Sequence, residues 1–125
     1  LIEVGLQKED LDKYPGAFSG GMRQRIVLAR ALAVDPKFLV FDESISALDA
    51  PIQQQILELI QKLKSKLNFS AIFISHDIAA VHHISDRILV MKEGKLIEMG
   101  SADNILFEAT ETYTKSLIEA LPHKY

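Results

Sequence analysis

Apolar and polar residues alternate in short blocks along this chain, and the period of the apolar positions changes from one block to the next. Leu1 to Lys13 sets Val4, Leu6 and Leu11 among charged neighbours, which predicts a short helix closed by Tyr14-Pro15-Gly16. Beyond Ser19, a residue suited to capping, Met22, Ile26, Ala29 and Ala33 recur at helical spacing. That predicts a helix through Gly20 and Gly21 to about Val34. Asp35-Pro36 ends it, because proline disfavours helical backbone in the residue before it. Phe38 to Phe41 is an unbroken apolar run of strand length, the pattern of a strand buried on both faces.

Pro51 suits the first turn of a long helix with the stripe Ile52, Ile56, Leu59, Ile60, Leu63 and Leu67, and Asn68 follows it. Ala71 to Ile74 predicts a second buried strand, and Asp77 to about Ile84 a short helix. Arg87 to Met91 and Lys95 to Met99 flank Glu93-Gly94, a hairpin signal. Ser101 caps a helix to about Phe107, and Thr112 to Leu121 predicts a last one. Helix and buried strand in alternation give an α/β fold class with a parallel sheet, followed by a β-hairpin and helices.

At 125 residues the chain is one small domain at most, long enough to support a core. A 48% hydrophobic and 25% charged composition is that of a folded globular chain. With no cysteine, disulfides, thiolate metal sites and thiol nucleophiles are excluded. The net charge of −3 argues against nucleic acid as a partner, since phosphate-backbone binding needs a basic face. Arg23, Arg25 and Arg30 are too few to change that. No apolar run reaches membrane-span length, so membrane association would come through a partner.

Three groups of residues carry candidate chemistry. Asp42-Glu43 closes the first apolar run, and two acids at the carboxyl end of a parallel strand lie where α/β folds place their ligands. Alone, such a pair often does no more than end a strand. A helix opening Ser19-Gly20-Gly21-Met22 offers unpaired backbone N–H groups, the positive end of its dipole and no bulky side chain, which suits an anion. Alone, it would be a helix cap. His76 follows the second strand within Ser75-His76-Asp77 and can donate to an anionic oxygen. His82, His83 and His123 fit no metal-binding spacing and are assigned surface or packing roles.

In order and spacing these groups, with Arg23-Gln24-Arg25, Ala29 to Leu32 and Ser46-Ala47-Leu48-Asp49, resemble the second half of an ATP-binding-cassette (ABC) ATPase. The likeness covers nearly the whole chain. It implies a partial P-loop-NTPase-like parallel sheet with flanking helices, one of them the signature helix. Asp42 would hold magnesium through water and Glu43 would act as general base on the attacking water. His76 would be the switch histidine at the γ-phosphate. Ser19, Gly20, Gly21 and Met22 would contact ATP bound on the opposite subunit of a head-to-tail dimer. Asp49 would cross that interface, or cap the helix through Ile52. Phe18, Met22 and Ser44 depart from the usual leucine, glutamine and proline. The implied organisation is a single partial ATPase domain over 1–125, with a signature region 1–35, a core 36–100 and a helical tail 101–125.

A P-loop reads glycine, four residues, then Gly-Lys-Ser/Thr. Gly16 and Gly21 have the separation, but Met22-Arg23 follows, and Gly94-Lys95 is followed by Leu96. The expectation is a chain that by itself neither binds Mg-ATP tightly nor hydrolyses it. Without the P-loop strand that the family fold inserts, apolar sheet edges would be exposed and open to self-association.

Tyr14-Pro15, Ile84 to Arg87, Tyr113 to Leu117 and Leu121-Pro122 resemble the oligopeptide/dipeptide importer branch, although Glu111-Thr112 replaces its usual His-Pro. That branch implies a second ATPase subunit, transmembrane permease subunits and a peripheral place on the cytoplasmic side of the membrane. Two other readings stay open: a non-enzymatic fragment acting as an interaction module, and a DNA-repair or chromosome-structure ATPase head. The latter needs long heptad runs, and none occurs here.

Overall fold

A computed structural model describes residues 2–122, so His123 lies outside the described residues. The chain divides after Ile74 into two compact units.

The first unit opens not with the expected helix but with three 3-10 turns, Ile2–Val4, Lys8–Asp12 and Pro15–Ala17. Gly5 is the reason. It holds φ +79°, and a Cβ there would stand 2.6 Å from Nη1 of Arg25, which donates to the Val4 carbonyl at 2.7 Å. A left-handed residue in contact with a neighbouring side chain interrupts an α-helix. The Asp10 carboxylate accepts from Lys13 Nζ at 2.5 Å and from the Gln7 amide at 2.9 Å. The Lys13 hydrogen bond, then the Gln7 amide, hold its pKa below the ordinary carboxylate value.

Helix α1 spans Gly20–Leu32, capped by Ser19. Its buried residue is Leu28, whereas Met22, Ile26 and Ala29 of the expected stripe are half-buried and Ala33 is exposed. Strand β1 (Phe38–Asp42) leads to helix α2 (Ala50–Leu67), and strand β2 (Ser70–Ile74) returns parallel to β1, in register from Phe38↔Ser70 to Asp42↔Ile74. Asn68 ends α2 at φ 53°, ψ 51°, its N–H bonded to the Lys64 carbonyl at 3.0 Å. The core of this unit gathers Val4, Leu6, Leu28, Ile45, Phe69 and, from α2, Ile56, Leu57, Ile60 and Leu63.

Both strands differ from expectation. Neither is buried on both faces: Phe38, Val40, Ile72 and Ile74 are 44–56% exposed. Alternation along β1 puts Phe38 and Val40 on one side and Leu39 and Phe41 on the other. Phe41 meets Phe73 at 5.9 Å between ring centroids, while among the described residues no third strand joins this sheet.

The second unit contains α3 (Ile78–Ile84), the antiparallel strands β3 (Arg87–Lys92) and β4 (Lys95–Ser101), α4 (Ala102–Phe107) and α5 (Thr112–Glu119). Glu93 (φ 50°) and Gly94 (φ 75°) form a hairpin turn whose twist matches its strands. Ile78, Ile88, Val90, Ala102 and Ile105 make the core, joined by Tyr113 and Leu117 of α5. On the opposite side of the hairpin, Leu89, Met91, Leu96 and Met99 are more than half exposed.

Helix α5 is held at its start by Glu98. The carboxylate accepts from the Thr110 amide at 2.8 Å, the Thr110 hydroxyl at 3.0 Å and the Glu111 amide at 3.2 Å. These donors lower its pKa to about 2, the Thr110 amide contributing most. The Thr114 hydroxyl adds to the effect by proximity, although it is buried without a well-formed hydrogen bond. Lys92 Nζ lies 4.8 Å from the centre of the Tyr113 ring. His82 takes a packing role, 2.8 Å from Asp103 Oδ1 and edge-on to Phe107.

Candidate functional site

Asp42 is the last residue of β1, and its side chain and that of Glu43 are exposed. The Glu43 N–H donates to the Ile74 carbonyl at 2.9 Å, which carries the parallel ladder one step past the strand. Here the backbone changes direction. Glu43 has φ +54°, and its carbonyl accepts from Ser46 Oγ at 3.1 Å. Ile45, 2% exposed, anchors the turn in the core. Two carboxylates thus emerge at the carboxyl end of parallel strands, as the sequence indicates. Among the described residues no group of three or more His, Cys, Asp or Glu side chains could hold a metal ion. A lone Asp42 has the chemistry for Mg²⁺, which keeps most of its own waters.

At the start of α1, Ser19 adopts extended backbone (φ −65°, ψ 166°) and its Oγ accepts from the Met22 N–H at 3.2 Å. The helix is long enough for its dipole and first N–H groups to favour an anion. In the sequence, Gly20 and Gly21 leave room for a ligand at the helix start. The structure gives them a second role. A Cβ on Gly20 would stand 3.2 Å from Leu48 Cδ2, and one on Gly21 would stand 2.8 Å from Ile52 Cγ2. These glycines therefore let α1 approach the start of α2, and they bring the Ser19 turn to the segment carrying Asp49.

Asp49 occupies the N-cap position of α2, and its carbonyl accepts from Gln53 N–H at 2.8 Å. Its carboxylate makes no capping hydrogen bond, so the capping alternative for the side chain is not realised. Pro51 sits in the first turn, as anticipated. Beside α1, a groove of about 390 Å³ is lined by Leu6, Leu11, Phe18, Ile26 and Val27.

His76 belongs to the second unit. It is exposed, between Ser75, whose Oγ accepts from the Asp77 amide at 3.0 Å, and Asp77. Asp77 caps α3 by accepting from Ala79 and Ala80 N–H at 3.0 and 3.2 Å. The turn that presents His76 is therefore built from hydrogen bonds within Ser75-His76-Asp77 and the helix after it.

Residues 1–46 match the family model described as ABC transporter. The chain is 51% identical over 119 residues to the oligopeptide transport ATP-binding protein OppF of Streptococcus mutans, covering 95% of this chain and 39% of that protein. It is 51% identical over 122 residues to OppF of Bacillus subtilis, covering 98% and 40%. With the dipeptide transport ATP-binding protein DppF of Lactococcus lactis the identity is 50% over 119 residues, covering 95% and 38%. The chain thus spans about two-fifths of the length of these curated relatives. Matches of this depth along almost all of its residues, on an α/β frame ending β1 in two acids, make the chain similar to part of the ATP-binding proteins of oligopeptide and dipeptide ABC transporters.

Proposed function

We propose that these residues supply the signature loop and the hydrolytic side chains of an ABC ATPase that energises import of oligopeptides or dipeptides. The observation that carries this reading is the pair Asp42-Glu43, exposed at the carboxyl end of parallel strands in a chain so similar to peptide-transport ATP-binding proteins. Bound Mg²⁺ would neutralise charge building on the phosphates. Asp42 would hold that ion through water. Glu43 would take a proton from the attacking water, and His76 would donate a hydrogen bond to the terminal phosphate. The N–H groups opening α1, with Ser19, Gly20, Gly21 and Met22, would face ATP carried by an opposing ATPase subunit. Asp49 would cross the interface between the two.

Phosphoryl transfer depends on holding the phosphates in place, and that task falls to a P-loop. The 125 residues contain no P-loop match. The chain by itself is therefore proposed neither to bind Mg-ATP tightly nor to hydrolyse it; a P-loop on another polypeptide segment completes the site. Permease subunits in the membrane and a place on its cytoplasmic side follow from the same reading. Among the described residues no helix is long and apolar enough to cross a membrane. The exposed apolar residues of β1 and β2 are surfaces through which the isolated chain would self-associate.

The test mixes the purified chain with a peptide-importer ATPase subunit whose own signature serine is mutated. Hydrolysis that returns on mixing and is lost with Ser19→Ala supports the reading. Glu43-dependent turnover by the chain alone would sink it.

A further inference from the structure

Ser19 and Asp49 lie in separate segments of the chain, and an apolar contact joins the residues next to them. Leu48 Cδ2 stands 3.2 Å from the place a Cβ would take on Gly20, so the leucine reaches into space that a side chain at position 20 would crowd. Gly20 directly follows Ser19, and Asp49 directly follows Leu48. The contact is thus one residue from each polar group.

The backbone on both sides of this contact is tied down. Ile45 is 2% exposed, its carbonyl accepts from the Leu48 N–H at 3.1 Å, and the Asp49 carbonyl accepts from the Gln53 N–H at 2.8 Å. Across from it, Ser19 Oγ accepts from the Met22 N–H at 3.2 Å and the Ser19 carbonyl from the Arg23 N–H at 2.9 Å. Two hydrogen-bonded segments therefore meet at Leu48. The leucine is half-buried and outside the buried core, whereas Ser19, Gly20 and Asp49 are exposed. An apolar side chain is held between polar neighbours that stay open to solvent.

We propose that Leu48 is a positioning residue whose side chain sets the spacing between the Ser19-Gly20 opening of α1 and Asp49. Both groups then meet the ATP site of an opposing subunit in one registration. The inference rests on the reading of Ser19 and Asp49 as groups that face that subunit, and it adds what fixes their separation. Catalysis that depends on placement is sensitive to shifts of about 1 Å, less than the space a truncated leucine leaves.

Thermal unfolding of the 125-residue chain tests the contact without any nucleotide. Gly20→Ala should be better tolerated in the Leu48→Ala background than in the parent chain, by about 3 °C or more in melting temperature. An equal effect of Gly20→Ala in both backgrounds overturns the proposal.

The functional arm uses Mg-ATP and the mixed subunits described above, with saturating chain and well below every melting temperature. Leu48→Ala should lower the restored kcat about tenfold or more while KM for ATP, held by the other subunit's P-loop, stays within about threefold. Leu48→Met, which keeps the reach of the side chain, should recover kcat to within about threefold. Leu59, half-buried further along α2, serves as the control, and Leu59→Ala should leave the restored kcat unchanged. An unchanged kcat in Leu48→Ala, or an equal loss in Leu59→Ala, overturns the positioning role. If Ser19→Ala retains the restored hydrolysis, the signature-loop reading falls and the positioning role falls with it, while the unfolding comparison still reports on the contact.

Discussion

Gly21 of α1 lies against Ile52 of α2 so closely that a methyl group on its Cα would stand 2.8 Å from Ile52 Cγ2. Gly21→Ala would gain a little helix propensity in the first turn, and crowding of Ile52 would outweigh it. A net loss of about 1–2 kcal/mol is expected, measured by urea unfolding. Shortening Ile52 to alanine should remove most of that crowding, so the double variant should lose clearly less than the sum of the singles. Strict additivity would mean that the two residues do not meet.

Leu63 and Leu67 stand on the same expected stripe of α2, but Leu63 is 1% exposed and Leu67 40%. Leu63→Ala should cost about 2–5 kcal/mol and Leu67→Ala under about 1 kcal/mol. Denaturant midpoints of the two variants decide the matter, and similar losses would contradict the packing described for the end of α2.

Glu98 ties the start of α5 to β4, with a pKa of about 2 against an ordinary 4.5. A carboxylate whose pKa is depressed by folding contributes in full above its unfolded value, and the contribution fades as pH falls toward the folded one. Protection of the α5 amides from hydrogen exchange should therefore weaken between about pH 4.5 and 2. Glu98→Gln should weaken the same amides at neutral pH and flatten that dependence. Unaltered protection in the variant at pH 7 would show that α5 is held by its apolar face alone.

Val40 and Ile72 are register partners on the exposed side of the β1–β2 pair, 56% and 50% exposed. If the isolated chain self-associates through this sheet, Val40→Lys with Ile72→Thr should shift its mass toward monomer in sedimentation at high concentration. A parent chain that is already monomeric there would remove the proposal.

Much of the local structure is legible in the sequence because its causes span only a few residues. Ser19, Asp77 and Ser101 cap helices through their own oxygens, Pro51 suits a first turn, and Asn68 accepts a left-handed helix end. Glu93-Gly94 turns the hairpin for the same kind of reason. The acids after β1 and the Ser-Gly-Gly opening of α1 are local patterns too, and a resemblance to ABC ATPases could be read from them before any fold was known. Burial could not be read this way. An apolar run such as Phe38 to Phe41 shows that a strand can be covered, but covering depends on what the rest of the polypeptide brings to it.

The tertiary structure alone decided that Leu28, not Ala33, anchors α1, and that Gly5 breaks the opening segment where Arg25 reaches the Val4 carbonyl. It also decided that Gly21 meets Ile52 and that Glu43 turns to positive φ. Each of these depends on contacts between residues far apart in the chain. Short-range hydrogen bonding and sterics act within a turn, whereas close packing is settled only when distant segments compete for the same space.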